Sequence, residues 1–204
     1  MTAVTKRAVL AGAGALAASS AFAQTPPAGP SRVTIHTPLG DITVELAVDK
    51  APITSANFLR YVDAGRFNGS VFYRAMTVLA DPLTGLIQGG AKNDPAKAFP
   101  PIAHEGTKIT GLSHKDGALS MARYAPGTAT SEFFICLGDL SSLDEDPSQP
   151  GDNAGVAAFG HVVAGMDVVK AIVKAPISPT KGESDGMKGQ MLDPEVPIIS
   201  AKRA

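Results

Sequence analysis

The sequence predicts a mainly β domain: a closed, eight-stranded antiparallel barrel with an α-helix over each open end. Two observations predict it. Short apolar runs bounded by Gly/Pro turns recur along the chain, which holds 21 glycines and 16 prolines in 204 residues and no tryptophan. Only two segments show helical spacing, and they do not alternate with strands as a parallel α/β sheet requires.

Residues 1–23 read as an export signal rather than as part of that domain. Lys6 and Arg7 form a positive start, residues 8–18 are apolar but too short to span a bilayer, and Ala21-Phe22-Ala23 supplies a small-x-small cleavage pattern. No second long apolar run follows, so no membrane anchor is expected and the location expected is the periplasm. Residues 24–30 (QTPPAGP) form a Pro-rich linker. The domain is then expected over 31–204.

The first two strands are a hairpin. Residues 32–36 alternate, Pro38-Leu39-Gly40 turns, and residues 42–46 alternate back with Ile42, Val44 and Leu46 facing the core. The first helix starts at Pro52, where a missing N–H is harmless, presents Ile53, Ala56, Phe58, Leu59 and Val62, and ends at Ala64-Gly65. Further strands are expected at 71–73, 86–88, 118–121, 132–137, 156–163 and 197–201. A second helix over 166–174 places Met166, Val169 and Ile172 or Val173 on one face. The acidic stretch around Asp144-Glu145-Asp146 lacks the oxygens and glycine of a calcium loop and reads as a solvated loop.

Composition removes several classes of function. Without the signal the formal net charge falls from −1 to −3, the wrong balance for a nucleic-acid surface. Cys136 is the one cysteine, so no internal disulfide can form; within Phe-Phe-Ile-Cys-Leu it reads as a small buried hydrophobe. His36, His104, His114 and His161 show no metal-ligand spacing, and there is no nucleophile elbow or phosphate loop. No cofactor and no metal are expected.

What remains is an ordered set of segments: Asn57-Phe58-Leu59, Gly69-Ser70-Val71-Phe72-Tyr73-Arg74, Leu86-Ile87-Gln88-Gly89-Gly90, residues 117–123 (GALSMAR), Ser131-Glu132-Phe133-Phe134-Ile135, Leu143-Asp144, and Ala158-Phe159-Gly160-His161-Val162. In order and spacing they resemble the cyclophilin family of peptidyl-prolyl cis–trans isomerases from about Arg32 onward. The chemistry of that family explains why no triad or metal is needed. Rotation about an X–Pro bond faces about 18–20 kcal/mol of amide resonance and takes on the order of 10–100 s unaided. A catalyst must hold the ring and donate a hydrogen bond to the nitrogen as it regains its lone pair.

The resemblance implies Arg74 and Gln88 as catalytic residues, and Met121, Ala122, Arg123, Glu132, Phe134 and Leu143 as the substrate-binding set. It also implies proline-containing polypeptides as partners, acted on during folding; with the export signal and the net charge read above, these are exported chains and no nucleic acid, and a monomer is expected. A low-activity Pro-peptide-binding module or holdase chaperone on the same fold is the alternative. Several positions depart from the family. The 74–88 segment is longer, a pocket phenylalanine reads Gly85, a loop tryptophan reads Ser142, a pocket histidine reads Val156, and a glutamine reads Glu132. Leu79, Leu83 or Leu86 is expected to replace the missing ring.

Overall fold

The computed structural model describes residues 31–204 apart from 79, 80, 93 and 185, and apart from the side chains of 81–83. The expected signal (1–23), linker (24–30) and Leu79, and the side chain of Leu83, lie outside the described residues. Strands β1 (Ser31–Thr37) and β2 (Gly40–Leu46) form the expected hairpin, joined by the two residues Pro38 and Leu39. Ile42, Val44 and Leu46 are buried, as their alternation predicts.

Helix α1 (Pro52–Asp63), β3 (Ser70–Val78) and β4 (Asp81–Gly90) follow, then the one-turn α2 (Thr107–Thr110), β5 (Ala118–Met121), β6 (Phe133–Leu137), a 3-10 turn (Ser141–Leu143), β7 (Ala157–Ala164), α3 (Met166–Val173), β8 (Met191–Ile198) and β9 (Ser200–Arg203). The strands form one antiparallel sheet in the order β8-β3-β4-β6-β5-β7-β2-β1-β9. Its two outer strands are consecutive in the chain, separated only by Ile199. The Ile199 N–H donates to the carbonyl of His36 in β1 at 2.8 Å, and Ile198 pairs with Ser70 in β3. The sheet thus curls into a nearly closed barrel.

Among the described residues, nine strands replace the eight expected because the last one breaks at Ile199, changing partner from β3 to β1. The expected final strand, 197–201, straddles that break and misses the start of β8 at Met191. The third helix is the four-residue α2, too short for a periodic signal.

Phe58 anchors the barrel interior, its ring 5.1 Å from Phe67, 5.3 Å from Phe133 and 5.4 Å from Phe159. Such aromatic contacts add to the area term of burial. Helix α1 buries Thr54, Ser55, Asn57, Phe58, Leu59, Tyr61 and Val62. Its expected apolar face is correct at Phe58, Leu59 and Val62, but Ile53 is 44% exposed. Helix α3 buries Val168, Val169 and Ile172, with Met166 and Val173 only half-buried. Cys136 is fully buried and burial pushes its thiol up to about 12, in keeping with an inert packing role.

The start of α1 has no cap of its own, since Ala51 carries no acceptor. Glu105, buried and distant in sequence, accepts from the Ile53 N–H at 3.1 Å, the Thr54 N–H at 2.6 Å and the Thr54 hydroxyl at 2.6 Å. An anion here also meets the positive end of the helix dipole. Glu105→Ala should therefore destabilise the domain by about 1–3 kcal/mol, read from urea denaturation at neutral pH, with Glu105→Gln intermediate.

Candidate functional site

A cavity of about 760 Å³ lies on the outer face of the barrel wall, across β3, β4 and β6. Sheet register decides which side chains reach it. On β4, Leu86 and Gln88 share a face with Cys136 and Phe134 of β6, while Ile87 and Gly89 face the interior with Ile135 and Phe133. An apolar cluster of Leu86, Ala118, Phe134, Cys136 and Leu140 forms the floor, separate from the main core, with Met76, Val78, Ala122, Leu143 and Val156 packed against it.

Arg74 reaches this face because β3 is bulged. Phe72 pairs with Gly89 and Arg74 with the next residue, Gln88, so Tyr73 is one residue too many. Without the bulge, residues 72 and 74 would share a face; with it, Phe72 enters the core and Arg74 turns to the cavity. Tyr73 also lines the cavity.

The polar groups form one relay. Arg74 Nη1 donates to Gln88 Oε1 at 2.9 Å, and Arg74 Nε donates to Gln190 Oε1 at 2.8 Å. Arg74 Nη2 lies 3.1 Å from Met76 Sδ. Gln88 Nε2 donates to the Tyr73 hydroxyl at 2.7 Å, and that hydroxyl donates to Glu132 Oε2 at 2.7 Å. Ser131 Oγ donates to Glu132 Oε1 at 2.9 Å. Burial lowers the pKa of Arg74 from its ordinary value, and burial beside the Glu132 carboxylate raises that of Tyr73. Tyr73 therefore stays a neutral phenol, both acceptor and donor.

A second polar cluster sits beneath Phe134. His114, fully buried, is stacked on that ring at 5.9 Å and 15°. Its Nδ1 lies 2.5 Å from Asp144 Oδ1 and its Nε2 2.9 Å from Ser120 Oγ. Burial lowers the His114 pKa, and the Asp144 carboxylate partly opposes that. Asp144 also accepts from Ser113 Oγ and, at 3.0 Å, from the His114 N–H. The acidic stretch is thus more than a solvated loop: Asp144 ties the segment carrying Leu143 to the support of Phe134.

Of the residues named from sequence, Arg74, Gln88, Ala122, Arg123, Glu132, Phe134 and Leu143 all line the cavity. Met121 does not. It pairs with Phe133 and is buried in the main core, because β5 parity turns Ser120, not Met121, toward Phe134. Arg123 points its guanidinium away from a substrate role, donating to Asp152 Oδ1 at 2.9 Å and to the Gly155 carbonyl. Glu132 is spent on Tyr73 and Ser131 rather than turned outward.

Ser142 and Val156 line the cavity at two of the departing positions, and Leu86 fills the floor as expected of one of the three leucines. Gly85 cannot carry a ring: a Cβ there would lie 2.0 Å from the Met76 carbonyl oxygen. Tyr73, Gln190, Met76, Met187 and Met191 belong to the site without having been named from sequence. Only Tyr73, a polar aromatic beside Arg74, left a signal that could have been read.

The chain matches the family model described as cyclophilin type peptidyl-prolyl cis-trans isomerase/CLD over residues 32–202. It is 36% identical over 201 residues to a peptidyl-prolyl cis-trans isomerase of Acinetobacter baylyi, covering 97% of this chain and 95% of that one. It is 36% identical over 165 residues to peptidyl-prolyl cis-trans isomerase B of Escherichia coli, covering 79% and 90%. A crystal structure of a cyclophilin type peptidyl-prolyl cis-trans isomerase from Cryptosporidium parvum, solved in the presence of the dipeptide Ala-Pro, superposes with a TM-score of 0.66 at 22% identity, covering 85% of this chain and 98% of that one.

The relay makes its own test. Tyr73→Phe removes the donor to Glu132 and the acceptor for Gln88, and should cost about 1–3 kcal/mol of unfolding free energy. Adding Glu132→Gln should recover part of that loss, because an under-bonded amide is less costly to bury than a carboxylate. Paired denaturation curves at neutral pH check both.

Proposed function

The chain belongs to the cyclophilin-type peptidyl-prolyl cis–trans isomerases, and on that premise we propose that the β3–β4–β6 cavity is its catalytic site, with Arg74 as the central group. The observation that carries the proposal is a half-buried guanidinium fixed by two glutamine oxygens at the side of an apolar floor.

The proline ring of an X–Pro segment sits against Phe134, Leu143 and Leu86, where the poor solvation of the planar, charge-separated amide favours its twisted form. Arg74 donates to the prolyl nitrogen as its lone pair localises, an interaction made mainly in the transition state. Each terminal nitrogen of a guanidinium carries two N–H groups, so Nη1 can hold Gln88 with one and serve the substrate with the other. Gln88 is fixed in turn, its oxygen on Arg74 and its amide on Tyr73. The backbone at Ala122 and Arg123 is the edge along which the peptide lies. The ion pair of Arg123 with Asp152 keeps that edge in place, and Glu132 acts through Tyr73 rather than on the peptide directly.

We assign the substrates to exported, proline-containing polypeptides and the role to their folding, with residues 1–23 as the signal, 24–30 as the linker and 31–204 as the isomerase domain in the periplasm. The basic start and the Ala21-Phe22-Ala23 pattern support this. N-terminal sequencing of the native protein should give a chain starting at or near Gln24; an intact Met1 would sink the assignment.

Arg74→Ala should lower turnover of a Pro-containing tetrapeptide about 30- to 1000-fold with little loss of peptide affinity, since a charge-assisted bond in a sheltered site is lost. Phe134→Ala should weaken binding and turnover together. A protease-coupled isomerisation assay with calorimetric binding separates the two. Wild-type turnover in Arg74→Ala would remove Arg74 from the catalytic role; an unmutated chain that binds the peptide without turnover would instead be a Pro-peptide-binding module.

A further inference from the structure

Arg74 is held at three nitrogens from three directions, and one of those holds comes from outside the β3–β4–β6 wall. Gln88 takes Nη1 from β4, and Met76 Sδ lies near Nη2 from β3 itself. The Nε bond goes to Gln190, just before β8 and 116 residues from Arg74 in sequence. A single bond at Nη1 leaves a guanidinium free to pivot about that contact. A second bond at Nε, on the stem side of the planar group, fixes both its plane and its rotation within the plane.

The residue that supplies this second bond is itself tightly placed. The Gln190 N–H donates to the Met187 carbonyl at 3.0 Å, and the Gln190 carbonyl accepts from the Ala75 N–H at 2.8 Å, one residue beyond Arg74. The segment leading to it closes on itself through Met187 N–H to the Gly182 carbonyl at 2.7 Å and Ser178 N–H to the Met191 carbonyl at 2.8 Å. Gly182 has φ +80, and a Cβ there would stand 2.7 Å from Met191 Cγ and 2.8 Å from the Met187 carbonyl oxygen. Such a turn takes glycine at no cost and little else. The result is a strap, hydrogen-bonded to β3 beside the catalytic arginine, that also brings Met187 and Met191 to the cavity wall.

We infer that Gln190 is a positioning residue for catalysis: it aims the Arg74 guanidinium, so that the remaining N–H groups on Nη1 and Nη2 face the prolyl nitrogen before substrate arrives. This rests on the reading of Arg74 as catalytic. Its effect falls on the chemical step, because the arginine contributes there rather than to ground-state binding.

The test uses the full chain with Gln190→Leu, which keeps the bulk and removes the acceptor, and Gln190→Glu, which keeps an acceptor. Each is measured for kcat, KM, thermal melting and the 1H–15N resonance of Arg74 Nε. Gln190→Leu should lower kcat about tenfold with KM nearly unchanged, and should shift the Nε resonance toward that of a solvated arginine. Gln190→Glu should retain most of the activity. In an Arg74→Ala background, Gln190→Leu should cost nothing further, since it acts through the arginine.

A folded Gln190→Leu variant with wild-type kcat and an unmoved Nε resonance overturns the inference. So does an equal loss in the Arg74→Ala background, or a loss that Gln190→Glu fails to rescue. Wild-type turnover in Arg74→Ala alone sinks the catalytic reading instead, and the Nε resonance then still reports whether Gln190 holds the side chain.

Discussion

A cation taken partly out of water must be given acceptors by the protein, and the arrangement of the site follows from that demand on Arg74. Its guanidinium lies beside an apolar floor that offers it nothing polar, so the acceptors come from side chains reaching in: Gln88 from β4 and Gln190 from the strap before β8. Using the Gln88 oxygen this way obliges its amide to find an acceptor of its own, which is Tyr73. The Tyr73 hydroxyl must then donate, and Glu132 receives it. Glu132 needs room, and Gly90 provides it: a Cβ there would lie 2.8 Å from Glu132 Oε1. One half-buried charge thus accounts for four polar residues and a glycine.

The same sheet serves two apolar volumes, and strand parity keeps them apart. Phe133 and Phe134 are neighbours in sequence, yet the first packs on Phe58, Phe67 and Phe72 inside the barrel and the second forms the cavity floor. The inner cluster holds the barrel together. The outer one is small and borders the site, and it is stiffened from below by His114 between Asp144 and Ser120. Support for the pocket therefore comes from polar bonds as much as from packing, which lets the cavity stay open without collapsing.

Much of this was legible in the sequence, for reasons that can be named. The hairpin and the two longer helices follow from local periodicity, and β5 from a short apolar run bounded by turns; both signals act over a few residues. Arg74, Gln88, Phe134 and Leu143 were legible because they occur in ordered segments of recognisable spacing. Met121 was misplaced because the segment match ignored parity, and the register of β5 on β6 puts it opposite Phe133. Tyr73 carried a readable cue in its polar ring beside Arg74, but alternation counted from Arg74 puts it on the opposite face, and the bulge that brings both to the cavity has no local signal of its own. Gln190 left no trace, since its partner is more than a hundred residues away. The break at Ile199 was hidden because both halves of the final strand are extended; only their partners differ.

That final strand sets the order in which the molecule can come into being. Its first half lies beside β3 and its second half beside β1, so it is the seam of the barrel, and it is made after every other strand described. As a chain emerges from the ribosome, the β1–β2 and β3–β4 hairpins can pair at once, but the wall has two loose rims until the seam arrives. The strap that carries Gln190 enters with the same stretch. A growing chain therefore has no finished cavity to offer until nearly all of the described strands have been translated, and the cavity is among the last features of the fold to exist.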